Sequence, residues 1–430
     1  MRILGVTESC DLGSLYLRLA AEEHDVRVAI SEPLARGTLA GMIPQVGDWR
    51  AELDWIRAAG DDGIILFESV SEGFGALQDT LRRDGYRVIG GSAYGDRLEN
   101  DRAFAQRLLG NLGFPAGHVW QFADNADADA FIAANPGRYV LKFSGPGHAS
   151  SDNYVGRMSD GRDIRAMLRQ RRNRDAEFIL MEFIDGVEMG VGAYFDGERF
   201  LSPACLDWEH KRFFAGDLGE LTGEMGTVAT YDRSARFFAL TLGKLAPYLR
   251  GKGHVGYVNL NTIVNERGIW PLEFTCRFGY PGFAVLEPLQ AIGWGALFRA
   301  MLDRSLDRFP TRPGYSVAIV VTTPPFPYSR KQIDEPVGLP VLFDPPLDEE
   351  DDRHVHYGEL GLADSALVTS GLYGWTMVVT GTAASIAEAR STAYRRASKA
   401  IIPNARYRLD IGERLIDRDY ARVEALGLLD

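Results

Sequence analysis

Three polar side chains alternate with apolar ones in the segment Leu272–Gly279, at Glu273, Thr275 and Arg277. Alternation of this kind predicts a strand that buries one face and shows a carboxylate, a hydroxyl and a guanidinium in a row on the other. A carboxylate binds Mg²⁺ as a hard oxygen ligand, a hydroxyl can add a weaker ligand, and a guanidinium can neutralise phosphoryl oxygens. Asparagines alternate on the preceding strand, Asn261 among them, so the two strands could pool their polar faces. A half-buried strand with one solvated face also explains the alternation, but it does not explain this order of groups.

Lys142 ends an apolar strand and is followed at once by the small-residue loop 144–151. A cation beside several backbone N–H groups is one way to surround phosphates. The loop is not a Walker sequence, and a strand-end lysine before a flexible turn accounts for the same residues.

The segment Met181–Glu188 is an apolar strand that runs into a turn with acids at both ends, Glu182 and Glu188. The backbone after such a strand, at Phe183 and Ile184, could hydrogen-bond a purine edge, and a carboxylate could accept two ribose hydroxyls. An ordinary Asp-Gly turn explains the segment equally well.

Clustered charge at 209–212, with the sequence EHKR, precedes a glycine-rich stretch at 219–226. This pattern is typical of a solvated loop. It is also what a loop that grips an anionic intermediate would need.

Strands and helices alternate in residues 1–115, which predicts a mostly parallel sheet covered on both faces. The predicted strands are Arg2–Val6, Asp25–Ile30, Gly63–Phe67 and Tyr86–Ile89, and the predicted helices are Leu12–Glu23, Asp48–Gly60, Gly75–Asp84 and Asn100–Leu112. Ligands of such sheets bind beyond the carboxyl ends of the strands. Glu8, Asp11 and Glu68 follow two of these strands and are candidate substrate residues.

Residues 116–310 have the pattern of an α+β module built from antiparallel hairpins, and residues 311–430 that of a β-rich domain after the linker Pro310–Gly314. The predicted elements are strands at Tyr139–Phe143, Asn153–Met158, Glu177–Ile184, Ser316–Thr322, Leu367–Ser370 and Trp375–Thr380, hairpins at Glu188–Phe200 and Gly256–Phe278, and a helix at Asp163–Gln170. The capping box Ser385–Glu388 predicts the start of a further helix. The sequence thus predicts three domains, at 1–115, 116–310 and 311–430.

The composition limits the class of protein. A chain of 430 residues has room for about three domains. The net charge of −12 argues against nucleic acid as the main partner, although a local basic pocket could still hold a small anion. The cysteines show no metal spacing, no signal peptide is recognisable, and no apolar run approaches the ~18 residues of a membrane span. These features predict a soluble cytoplasmic protein without a membrane partner.

Taken together and in this order, the motifs resemble the ATP-grasp superfamily and, within it, the phosphoribosylamine–glycine ligase family. The segment Leu98–Ala105 is similar to that family's Leu-Glu-Gly-Ser-Lys-Ala-Phe-Ala, and 210–212 and 219–226 are similar to its His-Lys-Arg and Gly-Pro-Asn-Thr-Gly-Gly-Met-Gly loops. The most specific likeness is Glu273–Gly279, which resembles Glu-Phe-Asn-Cys-Arg-Phe-Gly. Near the end, Tyr407–Gly412 resembles the family's Arg-Lys-Asp-Ile-Gly.

The resemblance implies an ATP-grasp fold with an N-terminal parallel α/β domain and a C-terminal β-rich domain. It also implies a purine-biosynthetic type of ligase that uses ATP and Mg²⁺, with Mn²⁺ as the alternative ion, to phosphorylate a small carboxylate that an amine then attacks. The implied roles are ATP binding by Arg102, Lys142, Glu182, Phe183, Ile184 and Glu188; metal binding by Glu273, Thr275 and Asn261; catalysis by Arg277 and Lys211; and substrate binding by Glu8, Asp11, Glu68, Arg212, Gly223 and Met225. The implied state is a monomer or a homodimer.

The chain departs from the family pattern at several positions. Arg102 replaces a lysine, which keeps the charge and alters the geometry, and Thr275 replaces a metal-binding asparagine. The family's N-terminal phosphate-binding Gly-Asn-Gly-Gly-Arg-Glu-His corresponds here to 6–13, which has two acids and no arginine. These departures leave three hypotheses for the function: a phosphoribosylamine–glycine ligase, a divergent ligase for another amine or amino acid, and a degenerate ATP-binding sensor or scaffold. A nicotinamide-dependent enzyme is a distant alternative, because no Gly-x-Gly-x-x-Gly follows the first strand.

Overall fold

The computed structural model describes residues 1–68, 73–143, 153–170 and 178–430. The chain divides into two compact units. Unit 1 comprises Met1–Leu108, Glu188–Thr262 and Leu272–Asp430, and unit 2 comprises Leu109–Val187 and Ile263–Pro271. No helix within the described ranges has both the length and the apolar character that a membrane span requires. The three-domain division drawn from the sequence remains a prediction.

The N-terminal segment forms a parallel sheet with helices, as its alternating pattern predicts. Its elements are β1 (Arg2–Thr7), β2 (Asp25–Ile30), β3 (Gly63–Phe67), β4 (Arg87–Ile89), α1 (Gly13–Ala21), α2 (Leu53–Arg57), α3 (Phe74–Arg83), α4 (Ala93–Asn100) and α5 (Arg102–Asn111). The strands lie in the order β2-β1-β3-β4, and every pairing is parallel. The central strands β1 and β3 are buried on both faces, which explains their continuous apolar sequence. Gly5 lies against a helix at close range, since a Cβ there would stand 2.5 Å from the ring of Tyr16.

The helix predicted at Asn100–Leu112 corresponds to α5, Arg102–Asn111, and a preceding helix, α4, did not stand out in the sequence. Asp101 separates α4 from α5 with φ −93° and ψ 86°, outside the helical region. Its carboxylate accepts a hydrogen bond from the amide of Phe104 at 2.9 Å. An aspartate that caps α5 thus sets its start at Arg102, two residues later than predicted.

Unit 2 contains an antiparallel sheet with two helices. Its elements are β5 (Val119–Phe122), β6 (Tyr139–Phe143), β7 (Tyr154–Val155), β8 (Phe178–Glu182), α6 (Asn125–Ala134) and α7 (Arg162–Gln170). The strand order is β5-β8-β6-β7. The predicted strand Asn153–Met158 is shorter than expected, because the carboxylate of Asp163 accepts the amides of Arg157 and Met158 at 2.5 and 3.3 Å. The predicted phosphate loop at 144–151, residues 69–72 and the predicted strand start at Glu177 lie outside the described residues.

The remaining strands build a large antiparallel sheet and three small two-stranded pairs, β11 with β12, β17 with β22 and β19 with β20. They are β9 (Val187–Phe195), β10 (Cys205–Glu209), β11 (Arg212–Phe214), β12 (Leu218–Leu221), β13 (Gly226–Thr230), β14 (Gly256–Asn265), β15 (Gly268–Thr275), β16 (Tyr315–Thr322), β17 (Leu342–Phe343), β18 (Val355–Tyr357), β19 (Leu360–Ala363), β20 (Ala366–Thr369), β21 (Trp375–Ala383) and β22 (Ala400–Ile401). Eight of the described strands form the large sheet in the order β15-β14-β9-β10-β13-β16-β21-β18. Strands that follow the predicted linker therefore continue the sheet formed by strands that precede it.

Helices pack against this sheet and complete the core of unit 1. They are α8 (Ala235–Leu240), α9 (Ala246–Leu249), α10 (Gly282–Leu286), α11 (Trp294–Asp303), α12 (Glu349–Asp352), α13 (Ile386–Ala397) and α14 (Tyr420–Ala425). The predicted capping box at the start of α13 is confirmed, since the Ser385 hydroxyl accepts the Glu388 amide and donates to the Glu388 carboxylate at 2.8 Å. Tyr194 of β9, Phe278 and Phe298 of α11 are buried in one hydrophobic core with the N-terminal strands.

The strand predicted through Phe278 ends earlier, at Thr275. The reason is Glu99 of α4, whose carboxylate accepts the Cys276 amide at 2.7 Å and the Arg277 Nε at 3.1 Å. Because the Glu99 carboxylate binds the Cys276 amide, the strand ends before this residue. The same carboxylate holds the Arg277 side chain in place.

Candidate functional site

A cavity of about 590 Å³ lies within unit 1. Polar side chains from the N-terminal sheet, from β10, β14 and β15, and from the segments that follow them line it. Nine residues singled out in the sequence are among them: Glu8, Asp11, Glu68, Lys211, Gly223, Asn261, Glu273, Thr275 and Arg277. Residues far apart in the chain are thus brought together at one site.

The polar row of the opening octet faces this cavity. Glu273, Thr275 and Arg277 all line it, whereas Cys276 and Phe278 between and beyond them are 0% and 3% exposed. The predicted alternation of side chains between a solvated face and a buried face is confirmed, and this alternation continues past the end of β15.

Lys211 is the centre of a cluster of carboxylates. Its ammonium nitrogen lies 3.2 Å from Glu188 Oε1, 3.1 Å from Glu209 Oε2 and 3.0 Å from Glu273 Oε1. Burial alone would lower the pKa of Lys211, but the charges of these carboxylates outweigh burial and raise the pKa well above its ordinary value. The lysine is therefore held as a cation, and it neutralises only part of the surrounding negative charge.

Two asparagines of β14 extend this cluster, at the alternate positions noted in the sequence. Asn261 donates from Nδ2 to Glu188 at 3.0 Å and to Glu209 at 3.2 Å. Asn259 donates from Nδ2 to Asp207 at 2.6 Å. Burial and the charge of Glu209 raise the pKa of Asp207 to about 8, which the Asn259 hydrogen bond only partly offsets.

The second part of the cavity lies at the carboxyl ends of β1 and β3. The Thr7 hydroxyl donates to Glu68 Oε2 at 2.8 Å, and the Leu12 amide donates to the same oxygen at 3.2 Å. Asp11 accepts the Ser9 hydroxyl at 2.7 Å. Burial raises the pKa of Glu68 to about 7, and the neighbouring Asp11 charge adds to this effect. The two strand ends are adjacent because β1 pairs with β3 in parallel.

The donor set around Lys211 suits a hard divalent cation. The three carboxylates and the nearby Thr275 hydroxyl are oxygen ligands, and the ammonium already marks a position where positive charge is stabilised. Within the described ranges, no three His, Cys, Asp or Glu side chains are grouped closely enough to hold a metal ion by themselves. The oxygen donors are of the type that Mg²⁺ prefers, and the Lys211 ammonium occupies the position between them.

The other sequence candidates of unit 1 do not line the cavity. Glu188 joins the site through Lys211, and Arg102 is an exposed residue that begins α5. The Arg212 guanidinium donates to the Gly219 carbonyl at 2.9 Å. Met225 is fully buried in a cluster that also contains Phe213 and Phe326.

The nucleotide-binding candidates of unit 2 lie on its antiparallel sheet. Lys142 is on β6, and Glu182 ends β8 with Phe183 and Ile184 following it. The amides of Glu182 and Phe183 donate to the carbonyls of His118 and Arg138 at 2.9 and 3.1 Å. The Glu182 carboxylate pairs with Arg267 at 3.1 Å. The segment after β8 is thereby fixed within this unit.

Several cavity residues were given no site role from the sequence, chiefly Glu99, Asp207, Glu209 and Glu224. A signal existed for two of them, because Asp207, Glu209 and Lys211 recur with the period of a strand and so share one face. His210 between them turns away, and its Nε2 accepts the Gly412 amide at 3.1 Å. Burial lowers the pKa of His210 to about 4, so it serves as a neutral structural acceptor.

Comparison with known proteins agrees with this architecture. Residues 100–283 match the family model for the phosphoribosylglycinamide synthetase ATP-grasp (A) domain. The phosphoribosylamine–glycine ligase of Streptomyces coelicolor is 30% identical over 350 residues, which cover 78% of this chain and 80% of that protein. The crystal structure of the phosphoribosylamine–glycine ligase of Thermotoga maritima has a TM-score of 0.68 at 20% identity and covers 96% of this chain and all of that one.

A more distant structure shares the fold. The biotin carboxylase domain of Hydrogenobacter thermophilus 2-oxoglutarate carboxylase, solved with MgADP and bicarbonate, has a TM-score of 0.61 at 12% identity and covers 100% of this chain and 98% of that one. The parallel N-terminal sheet and the large antiparallel sheet are thus those of an ATP-grasp protein. By its sequence similarity over most of its length, this chain belongs to the phosphoribosylamine–glycine ligase family and is an ATP-dependent carboxylate–amine ligase.

Proposed function

We propose that the ligase activates a small carboxylate as an acyl phosphate and transfers the acyl group to an amine. A carboxylate oxygen attacks the γ-phosphorus of ATP and ADP leaves. The amine nitrogen then attacks the acyl carbon, the bond from that carbon to the phosphate oxygen breaks, and the amine loses a proton. The observation that carries this proposal is the cluster of Lys211 with Glu188, Glu209 and Glu273, because Lys211, Glu209 and Glu273 line the same cavity as Arg277.

Each candidate has a proposed role in these steps. Arg277, oriented by Glu99 at 3.1 Å, would neutralise the phosphoryl oxygens during transfer. Lys211 would supply a second cation and hold the carboxylates in position. Lys142, Arg102 and the segment Glu182–Ile184 would bind ATP, and Glu188 would contact its ribose.

Glu273, Asn261 and Thr275 are proposed to hold Mg²⁺, with Mn²⁺ as the substitute of similar ligand preference. A bound divalent ion would supply charge stabilisation for phosphoryl transfer. The MgADP in the biotin carboxylase domain of similar fold supports the use of Mg²⁺ with the nucleotide.

The setting of the reaction is proposed from the same observations. Every residue that lines the cavity belongs to one unit of one chain, so a monomer or a homodimer would suffice. With a net charge of −12, the proposed partners are small molecules and not nucleic acids, and a cytoplasmic location supplies the ATP. The three sequence domains at 1–115, 116–310 and 311–430 are retained as part of this proposal.

The test is to trap the acyl phosphate with hydroxylamine. The protein is incubated with ATP, MgCl₂, hydroxylamine and a panel of amino acids and other small carboxylates that includes glycine, and both ADP and the hydroxamate are measured. We expect equal amounts of ADP and hydroxamate with at least one carboxylate. Glu273→Gln should lower the rate about 100-fold or more, by the size of a lost transition-state electrostatic contact, while the exposed Glu23→Gln should not.

The outcome that contradicts the proposal is tight ATP binding without hydroxamate from any carboxylate. That result would support the sensor or scaffold reading. An active Glu273→Gln variant would contradict the metal role specifically.

A further inference from the structure

An aromatic wall borders the cavity near the carboxyl ends of β1 and β3. The ring of Trp375 stacks on Tyr280 with centroids 4.8 Å apart and lies 5.2 Å from the ring of Tyr373. All three side chains line the cavity. The faces of such rings attract organic cations, and attract them more strongly where water is excluded.

Carboxylates share this part of the cavity with the aromatic wall. Glu8, Asp11, Glu68 and Glu224 line it, and Glu68 and Glu224 are only 5% and 6% exposed. Oε1 of Glu68 and Oε1 of Glu224 are buried and make no hydrogen bond of ordinary length and angle among the described residues, and the Tyr16 hydroxyl lies near the Glu68 carboxylate. Buried carboxylate oxygens without partners are costly, so their presence in a cavity points to a ligand that donates hydrogen bonds to them.

A further carboxylate lies behind the aromatic wall. Glu359 is 4% exposed and accepts the backbone amides of Leu372 at 2.8 Å, Tyr373 at 2.9 Å and Trp375 at 3.1 Å. These hydrogen bonds fix the backbone of Tyr373 and Trp375, and they place the Glu359 carboxyl group close to the aromatic wall.

The two cations that line the cavity already pair with carboxylates. Eight carboxylates and two cations, Lys211 and Arg277, are among the lining residues. Lys211 contacts three carboxylates, and Arg277 pairs with Glu99 at 3.1 Å. A phosphate group entering beside Glu8 and Glu68 would meet like charge at close range.

We infer that the amine acceptor of this ligase is a small organic cation without a phosphate group, bound between the aromatic wall and the carboxylates Glu8, Asp11, Glu68 and Glu224. The inference rests on the proposed ligase function and names its substrate class. A linear diamine is the simplest such molecule. One amino group attacks the acyl carbon, the new C–N bond forms as the bond from that carbon to the phosphate oxygen breaks, inorganic phosphate leaves, and the attacking nitrogen gives its proton to a carboxylate. The other amino group remains an ammonium ion bound in the site.

The chemistry of Glu68 is consistent with accepting that proton. Its pKa, raised to about 7 by burial, makes it a better base near neutral pH than an exposed carboxylate. Its Oε2 is held by Thr7 and Leu12, so the unpartnered oxygen is the one left for a ligand.

The experiment compares acceptors of matched size in the presence of ATP, MgCl₂ and the carboxylate selected by hydroxamate formation. The acceptors are 1,4-diaminobutane, n-butylamine, O-phosphoethanolamine and phosphoribosylamine. We expect kcat/KM for the diamine to exceed that for either phosphate-bearing amine at least about 10-fold, the value of one charge-assisted hydrogen bond. Preference for phosphoribosylamine or O-phosphoethanolamine would overturn the inference.

Two variants separate a specific role of Glu68 from a general defect. In Glu68→Gln, the ratio of diamine-dependent to hydroxylamine-dependent turnover should fall about 10- to 100-fold, because the amide keeps an oxygen for Thr7 and Leu12 but loses the charge. Glu23→Gln, an exposed control, should leave the ratio unchanged. An unchanged ratio in Glu68→Gln would contradict the inference.

Calorimetric titration of the full chain with 1,4-diaminobutane tests the site without turnover. Binding that weakens in Glu68→Gln supports the inference, and absence of binding to the wild type contradicts it. Failure of the proposed function gives a different result, namely no hydroxamate from any carboxylate whatever the acceptor.

Discussion

Removing the charge of Lys211 tests the central cluster most directly. The substitution Lys211→Met keeps the length of the side chain and leaves Glu188, Glu209 and Glu273 facing one another without a cation. Loss of one partner from a buried ion pair costs about 3–5 kcal/mol, whereas an exposed pair contributes about 0–1 kcal/mol. The magnitude therefore depends on how far each carboxylate is exposed.

The solvent exposure of the three carboxylates places the expected loss of stability near the lower end of the range for buried ion pairs. The side chain of Glu209 is 22% exposed, that of Glu188 35% and that of Glu273 61%. Only the contact of Lys211 with Glu209 approaches a buried pair, and solvent screens the other two. We expect Lys211→Met to lower the free energy of unfolding by about 3 kcal/mol in the absence of divalent ions.

Mg²⁺ should reverse much of this loss, because it would bind the carboxylates that the lysine has left. At a concentration 100 times its Kd, a ligand of the folded state adds about 2.7 kcal/mol of stability. The assay is thermal unfolding of the wild type and the variant in EDTA and in MgCl₂, with Lys252→Met as an exposed lysine control. We expect a melting temperature roughly 3–6 °C lower for Lys211→Met in EDTA, and a larger rise on adding Mg²⁺ than the wild type shows.

Two results would refute this reasoning. One is a Lys211→Met variant that melts at the wild-type temperature in EDTA, which would show that the three contacts contribute nothing. The other is an identical response to Mg²⁺ in both proteins, which would show that the metal and the lysine do not share these carboxylates.

Three further predictions concern other parts of the molecule. Lys142→Ala should weaken ATP binding about 10-fold in calorimetric titration, because the substitution would remove the phosphate contact proposed for Lys142, and an unchanged ATP affinity would contradict that role. Glu68→Gln should gain stability relative to the wild type between pH 5 and pH 8. A carboxyl whose pKa is raised from 4.5 to about 7 contributes stability that is present below pH 4.5 and lost as the pH rises through 7, and equal pH profiles of melting temperature would count against the buried charge. Asp351→Asn should destabilise the folded chain by about 3 kcal/mol, since Asp351 is 2% exposed and pairs with Arg396 at 2.8 Å; denaturation at neutral pH measures it, and an unchanged midpoint would contradict it.

The sequence predicted those parts of the fold in which local pattern and tertiary packing agree. β2, β3 and β6 have the predicted bounds, because apolar runs limited by charged or glycine residues leave little choice of register. The two-fold alternation in β15 likewise placed Glu273 and Thr275 on the cavity side.

The features that the sequence did not reveal depend on contacts across long separations. The early end of β15 is imposed by Glu99, which lies 177 positions from Cys276 in the chain. The convergence of Glu209 and Glu273 on one lysine requires two strands of different hairpins to share a face of the sheet. Charge clusters of this kind look like solvated surface until the sheet order is known.

The order of the large sheet has a consequence for how the chain can be divided. β16 pairs with β13 along Gly226–Ala229, and β21 pairs with β16 in turn. Cutting the chain at the linker near Pro310 would strip β13 of its neighbour and leave a row of amides and carbonyls open to pairing with another molecule. The C-terminal strands therefore cover a sheet edge that could otherwise pair with a second molecule. We expect a shortened enzyme that ends at the linker to aggregate and precipitate before its activity can be assayed.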